Sequence, residues 1–143
     1  MEGEVVKVRF FLEEATGVPG FEVADDRYGP LGSLLTREVQ IIDKWALDVL
    51  DDLTRIQLGQ AKRAEWLGNG WSGEISPNGL HLEDLHSDDW RGDYSLDLAR
   101  EVTLEYVCFL LPDVDARSAA LVRWEAEEGR PHAARADVIV TKV

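Results

Sequence analysis

An apolar stripe between residues 33 and 58 constrains the fold of this chain more than any other feature. Its apolar side chains recur at spacings of three and four residues, with charged side chains between them, which is the pattern of an amphipathic helix. Ser33 or Thr36 would cap this helix, and Gly59 would end it. The residues predicted to face the core are Val39, Ile42, Trp45, Ala46, Val49, Leu50, Leu53 and Ile56.

The residues before the stripe predict a β-hairpin. Alternating apolar residues mark a first strand over Glu4–Leu12, and Phe21–Val23 would form its antiparallel partner. Residues 16–20, between the two strands, include two glycines and a proline, which is turn chemistry. Asp25–Gly32 is predicted to be a loop, because its proline and glycines disfavour a strand.

A second group of strands is predicted over residues 62–85. Three patterned runs, Lys62–Leu67, Trp71–Ser76 and Leu80–Leu85, are separated by residues 68–70 and 77–79, which read Gly-Asn-Gly and Pro-Asn-Gly. Both separators are typical of turns, and Asn-Gly is a strong signal for a two-residue hairpin loop. We therefore expect an antiparallel meander of three strands, packed on the helix stripe.

The segment Leu98–Leu111 is ambiguous by periodicity alone, because its apolar residues fit both a helical and an alternating pattern. Ser95 or Asp97 could cap a helix here, and Pro112 would stop it. These boundary residues favour a helix.

After Pro112 the chain predicts a third helix and a final strand. Asp115 would cap the helix and Gly129 would end it, and Asp137–Val143 has the composition of a strand. The whole order predicts a single α+β domain over residues 1–143. In that fold one antiparallel sheet, made of the N-terminal strands, the central meander and the C-terminal strand, packs against one long and two shorter helices.

The charge of the chain restricts its partners. Fifteen Lys and Arg residues stand against 28 Asp and Glu, for a net charge of −13. Such a chain repels phosphate backbones and anionic lipids, so we expect no direct binding of nucleic acid or membrane, and we expect attraction to a basic protein. The single cysteine, Cys108, lies in an apolar run and predicts a buried side chain rather than a disulfide. The N-terminus lacks the features of a signal peptide, and the expected location is the cytoplasm.

The acidic charge is concentrated between Glu83 and Asp97. Six carboxylates and one basic residue, Arg91, occur there, and Trp90 lies between acidic neighbours. An aromatic anchor surrounded by carboxylates suits a basic protein surface. The residues predicted to bind a partner are Glu83, Asp84, Asp88, Asp89, Trp90 and Asp93.

Two other uses of the same region stay open. His81 and His86, with nearby acids such as Asp84 and Asp88, could ligate a metal in a small hydrolase, although their spacing is not that of the HExxH motif. The tryptophans Trp66, Trp71 and Trp90 could stack on a small molecule, although tryptophan more often packs in a core.

No complete catalytic motif accompanies these residues. The chain has no GxSxG sequence, the Gly-Asn-Gly turn lacks the flanking residues of a phosphate loop, and His132, among alanines beside a proline, is predicted to lie on the surface. We therefore expect a binding protein rather than an enzyme, with no catalytic residue, metal or cofactor.

Two short motifs carry a family resemblance. Glu65-Trp66-Leu67-Gly68-Asn69 precedes a hairpin, and residues 94–99 read Tyr-Ser-Leu-Asp-Leu-Ala before a helix. In this pattern, over about residues 36–111, the chain resembles small bacterial immunity proteins of contact-dependent growth inhibition systems, and it departs from the pattern after Pro112. The resemblance implies a protein that binds and blocks one cognate toxin domain, often a nuclease, and that is not an enzyme.

Overall fold

The computed structural model describes residues 7–68, 70–86 and 91–140. They form a two-stranded sheet, a four-stranded sheet and five α-helices, which confirms the predicted α+β class. One apolar core, with Leu35, Leu50, Leu82, Tyr106 and Leu121 among its fully buried side chains, joins the helices to the sheets.

The two-stranded sheet is the predicted N-terminal hairpin. Strand β1 (Val8–Leu12) pairs antiparallel with β2 (Pro19–Val23). The ring of Phe10 packs against the rings of Tyr106 and Phe109, with centroids 4.7 and 6.0 Å apart. The hairpin therefore rests on the later helix that carries these two aromatic residues.

The region predicted as a loop and one long helix is a broken helical segment. Helix α1 (Gly29–Ser33) follows a 3-10 turn and continues into a π-helical turn, Leu34–Val39. Helix α2 then spans Asp43–Gln57. The predicted end is confirmed, since Gly59 follows α2 at a φ of +77°, which is the left-handed conformation that favours glycine.

The break lies at Gln40, so the prediction of one continuous helix is wrong. Gln40 has a φ of 56° and a ψ of −134°, and the amide of Ile42 donates to the carbonyl of Val39 at 3.2 Å. These values match the first central position of a type II′ turn, which glycine normally occupies. A glutamine at this position gives no sequence signal for a turn.

Trp45 lies on the surface, and its predicted place in the core is wrong. Its side chain is 48% exposed, whereas Leu47 and Leu50 of the same helix are at most 1% exposed. Because residues of an α-helix are about 100° apart, Trp45 lies about 140° around α2 from Leu50. The buried face therefore centres on Leu50 and leaves Trp45 at its edge.

The four-stranded sheet contains the predicted meander and one more strand. Its order is β3 (Ala64–Leu67), β4 (Trp71–Ser76), β5 (Gly79–Asp84) and β6 (Arg91–Tyr94), with every pair antiparallel. Strand β6 lies in the acidic segment after the three predicted strands, where no fourth strand was predicted. Its pairing with β5 continues the meander across the segment richest in acids.

The tight turn between β4 and β5 is displaced by one residue from the prediction. Ser76 pairs with Gly79, so Pro77 and Asn78 are the loop residues and Gly79 already belongs to the strand. Gly79 has a φ of +133°, and a Cβ there would lie 2.3 Å from the carbonyl oxygen of Tyr94. Glycine is therefore required at this position both by its backbone conformation and by the closeness of β6.

The ambiguous segment after β6 is a helix. Helix α3 (Leu96–Leu110) begins at Ser95, whose side chain accepts a hydrogen bond from the amide of Leu98 at 3.1 Å. Helix α4 (Val114–Glu128) ends at Gly129, with a φ of 73°, and its N-cap is Asp113 rather than the predicted Asp115. Across the described ranges, no helix has both the length and the apolar character needed to cross a bilayer.

The predicted C-terminal strand is wrong over its described part. Residues Arg135–Ile139 form a short helix, α5, and residues 141–143 lie outside the described ranges. The buried guanidinium of Arg117 donates to the carbonyls of Val138 at 2.7 Å and Leu111 at 2.8 Å. The carbonyl of Val138 therefore accepts its hydrogen bond from a side chain and not from a neighbouring strand. The side chain of Val138 packs in the core.

Candidate functional site

The four-stranded sheet presents one face to the core and the other to solvent. Trp71, Ile75 and Leu80 are buried on the inner face, because successive residues of a strand point to opposite faces. The alternate positions carry charged and polar residues, apart from the exposed Leu67 at the end of β3. Four of them are carboxylates, which we call the acidic sheet face: Glu65, Glu74, Glu83 and Asp93.

His81 lies at the centre of the acidic sheet face. Its Nδ1 is 2.6 Å from an oxygen of Asp93, and its Nε2 is 3.3 Å from an oxygen of Glu83. The hydrogen bond with Asp93 raises the pKa of His81 above its usual 6.5, and Glu83 adds to this effect. Because a carboxylate contacts each ring nitrogen, the arrangement favours a protonated His81 that forms ion pairs. It does not favour a neutral imidazole that could act as a general base.

Two arginines border this face. Arg63 forms ion pairs with Glu65 and Glu74, which lie directly opposite each other on β3 and β4 and would otherwise repel. Arg91 lies opposite Glu83 on β6. Even with His81 protonated, the four carboxylates outnumber the three cationic side chains of Arg63, Arg91 and His81, so the face keeps a negative charge.

The predicted partner-binding residues divide into three groups. Glu83 and Asp93 lie together on the acidic sheet face, on either side of His81. Asp84 alternates to the other side of β5, opposite Trp71, and its carboxylate accepts a hydrogen bond of 2.7 Å from the amide of His86. The remaining residues, Asp88, Asp89 and Trp90, lie outside the described ranges, and their role stays a prediction.

The proposed metal ligands do not converge. His81 is bound by Asp93 and Glu83, whereas His86 is an exposed residue beyond the end of β5. Among the residues that the structure describes, no group of three or more His, Cys, Asp or Glu side chains is placed to hold a metal ion.

Two of the three tryptophans proposed for ligand stacking are packed inside the fold. Trp71 is 6% exposed. Trp66 covers Gly73, where a Cβ would lie 2.7 Å from the Trp66 ring, and its indole N–H donates to Asp52 at 3.2 Å. Trp66 therefore joins β3 to α2, as predicted for this hairpin, while Trp90 lies outside the described part of the chain.

His132 is buried, and the prediction that it lies on the surface is wrong. Its side chain is 3% exposed. Nε2 donates to the carbonyl of Leu47 at 2.8 Å, and Nδ1 accepts from the amide of Ala134 at 2.9 Å. These two bonds specify one neutral tautomer, and burial lowers the pKa of His132 below 6.5. His132 therefore serves as a structural link between α2 and the segment before α5.

A buried carboxylate lies next to this histidine. Asp51 is 1% exposed, and it accepts hydrogen bonds of 2.5 Å from Arg130 and 2.8 Å from the amide of Ala133. Burial raises the pKa of Asp51, but the bonds from Arg130 and Ala133 outweigh burial and lower it below its usual value. The guanidinium of Arg130 also lies over the ring of Trp124, 5.1 Å from its centroid. The sequence did not predict this cluster, because Asp51 lies 79 residues before Arg130 and 82 before Ala133.

The acidic sheet face is thus the surface that carries the described part of the predicted site. Comparison with protein-family models, with curated protein sequences and with solved structures finds no match to this chain. The resemblance to immunity proteins accordingly stays a prediction from the two sequence motifs.

Proposed function

We propose that this chain is an acidic, cytoplasmic immunity-type protein, which binds and neutralises a basic toxin domain of the nuclease class. The observation that carries the proposal is the acidic sheet face, where strands from different parts of the meander bring Glu65, Glu74, Glu83 and Asp93 onto one solvent-facing surface.

The charge supports a basic partner. A nuclease must attract phosphates and is therefore positively charged around its active site. Carboxylates on a sheet can occupy that positive surface in place of phosphates, and a net charge of −13 accelerates the encounter. Charged groups of this kind contribute mainly to association rate and to the choice of partner.

The contacts of His81 favour binding over catalysis. Asp93 and Glu83 contact its two nitrogens, so a substrate would have to displace one of them to reach the ring. A rigid ion-paired centre instead orients the surrounding carboxylates for a partner. The proposal therefore assigns no catalytic residue to this face.

The test is binding to the polypeptide encoded directly upstream of this gene, measured by titration calorimetry at several salt concentrations. We expect a complex whose affinity falls with salt, and an affinity at least tenfold weaker for Asp93→Lys, because the side chain of Asp93 is 78% exposed. The matched control is Glu127→Lys on the exposed surface of α4, which makes the same charge change elsewhere and should leave the affinity nearly unchanged.

Two results would contradict the proposal. One is the absence of any complex with the unaltered chain. The other is a complex that is insensitive to salt and to Asp93→Lys. Lysine substitutions of Asp88 and Asp89 in the same assay would show whether the predicted site extends beyond β6.

A further inference from the structure

Three apolar side chains are exposed within one turn of backbone where α2 begins. Ile41 is 68% exposed, Trp45 48% and Ile42 37%. We call these three residues the Ile41–Trp45 patch. Grouped apolar exposure of this kind marks interaction sites on protein surfaces, and tryptophan is enriched among the residues that dominate binding energy.

A cleft continues the patch toward the N-terminal hairpin. Ile41 lines it together with Phe11, Val18 and Phe21, and its volume is about 660 Å³. Glu13 and Arg37 contribute charged groups to its walls. This volume is enough to receive one or two apolar side chains of another protein.

The backbone beside the patch departs from two rules of local stability. Gln40 occupies a turn conformation that favours glycine, with a φ of 56°. Ile42 is the N-cap of α2 and makes no side-chain capping bond, where Ser, Thr, Asn or Asp would be favoured. Such departures cluster at functional or strained sites, and the two observed here lie on either side of Ile41.

Two hydrogen bonds link the helical turn before the patch to the four-stranded sheet. The carboxylate of Glu38, three residues before Ile41, accepts a hydrogen bond of 2.7 Å from the amide of Gly70. The carbonyl of Gly70 in turn accepts a bond of 2.8 Å from the amide of Leu85. These two bonds connect the helical turn that precedes the patch to Gly70 and, through Gly70, to the residue that follows β5.

We propose that the Ile41–Trp45 patch is a docking surface for a basic protein, which inserts an apolar side chain into the adjoining cleft. The inference rests on the proposed function for the basic character of the partner. Charge selects this occupant over a second copy of the chain, because two molecules of charge −13 repel each other. The net negative charge of the chain attracts the partner, and the patch supplies the apolar contact that slows its dissociation.

The first arm of the test uses the upstream-encoded polypeptide and three variants. Trp45→Ala and Ile42→Ser should each weaken its binding at least tenfold, mainly through faster dissociation. The matched control, Val122→Ser, removes an apolar side chain that is 59% exposed on α4 and should leave binding unchanged. Ile42→Ser adds a capping residue and should raise the melting temperature, so its weaker binding cannot be attributed to poor folding.

The second arm does not depend on that polypeptide. Random twelve-residue peptides displayed on phage are selected against the intact chain, and the enriched peptides are synthesised and titrated against the same variants. We expect enriched peptides that combine Lys or Arg with an aromatic or aliphatic residue, and that lose at least tenfold in affinity for Trp45→Ala but not for Val122→Ser.

The two arms separate the docking surface from the proposed function. If the polypeptide binds the unaltered chain and Trp45→Ala equally well, the docking surface is wrong and the proposed function stands. If the polypeptide does not bind, the proposed function fails, and peptides that require Trp45 still support the docking surface. Three results would overturn the docking surface. One is that neither the polypeptide nor any peptide binds, and another is that the enriched peptides bind Trp45→Ala as well as the unaltered chain. The third is a dimer in sedimentation that Trp45→Ala dissociates.

Discussion

The carboxylate of Glu38 accepts a 2.7 Å hydrogen bond from the backbone amide of Gly70, 32 residues further along the chain. A Cβ on Gly68 would lie 2.8 Å from an oxygen of Glu38, so glycine leaves room for the carboxylate. Gly68 and Gly70, between β3 and β4, thus accommodate and bind a carboxylate of the same chain. This bond ties the π-helical turn before Gln40 to the end of the four-stranded sheet.

The first prediction concerns this bond. Glu38→Ala should lower the free energy of unfolding by about 1–2 kcal/mol, because it removes a charged acceptor from a partly buried amide. Glu38→Gln keeps an acceptor oxygen and should cost less. Urea unfolding followed by circular dichroism measures both, with the exposed Glu127→Ala as the control. Equal stabilities for Glu38→Ala and the unaltered chain would show that water replaces the bond at no cost.

The second prediction concerns the backbone of Gln40. Gln40→Gly should raise the free energy of unfolding by about 1 kcal/mol, because relief of the positive φ outweighs the greater freedom of glycine in the unfolded chain. The control is Gln60→Gly, since Gln60 is exposed and is not among the residues of positive φ; there the substitution should destabilise. A loss of stability in both variants would mean that the conformation of Gln40 carries no strain.

The break at Gln40 also explains why part of the fold could not be predicted. Elements with a local signal were predictable: α3 begins at Ser95 and α4 ends at Gly129, as expected, and the alternation of apolar residues predicted β1 and β5. No residue type at or beside Gln40 in the sequence indicates a turn. It is held by tertiary contact, since the hydroxyl of Tyr106 donates to the carbonyl of Gln40 at 2.5 Å.

The candidate site was predictable only in its charge. The excess of acids over residues 83–97 predicted a negative surface, and Glu83 and Asp93 do lie on one. Their arrangement around His81 depends on the pairing of β5 with β6, which periodicity did not indicate. Glu65 and Glu74 come from outside the acidic segment and join the face only because the meander folds them beside it.

The third prediction concerns the N-cap of α2. Ile42→Ser should stabilise the protein by about 0.5–2 kcal/mol, because Ile42 has the extended backbone of an N-cap, with a φ of −87° and a ψ of 100°, and serine there can accept a bond from the first turn. Ile41→Ser, one residue earlier, removes a similar exposed side chain but cannot cap the helix. Thermal unfolding should therefore show a higher midpoint for Ile42→Ser alone, and an equal gain in both variants would assign the effect to surface polarity.

The two described histidines with shifted pKa values should affect stability in opposite directions. Burial lowers the pKa of His132 below its usual 6.5. As the pH falls below 6.5, the imidazole is protonated in the unfolded chain before it is protonated in the folded one. The unfolded state then binds more protons, so the free energy of unfolding falls with the pH. Above 6.5 both states are neutral, and the contribution of His132 is fully present.

The contacts of His132 give the reason for this direction. Protonation would place a second N–H at Nδ1, facing the amide of Ala134 that donates to that nitrogen at 2.9 Å. For His81 the sign is reversed, because its hydrogen bond with Asp93 raises its pKa above 6.5. Its contribution is fully present below 6.5 and is lost as the pH rises through the raised pKa of the folded state. Since the His81 side chain is 38% exposed, solvent weakens this second effect.

The fourth prediction is therefore a difference between pH profiles. Urea unfolding of the unaltered chain and of His132→Gln is measured from pH 7.5 to pH 5. Below pH 6.5, the free energy of unfolding of the unaltered chain should fall by up to about 1.4 kcal/mol more per pH unit than that of His132→Gln, because the variant has no group to titrate at this position. His81→Asn is the matched control, and it should change the profile in the opposite sense. Parallel profiles for the unaltered chain and His132→Gln would mean that imidazolium is accommodated at position 132, and that its two backbone bonds do not enforce the neutral tautomer.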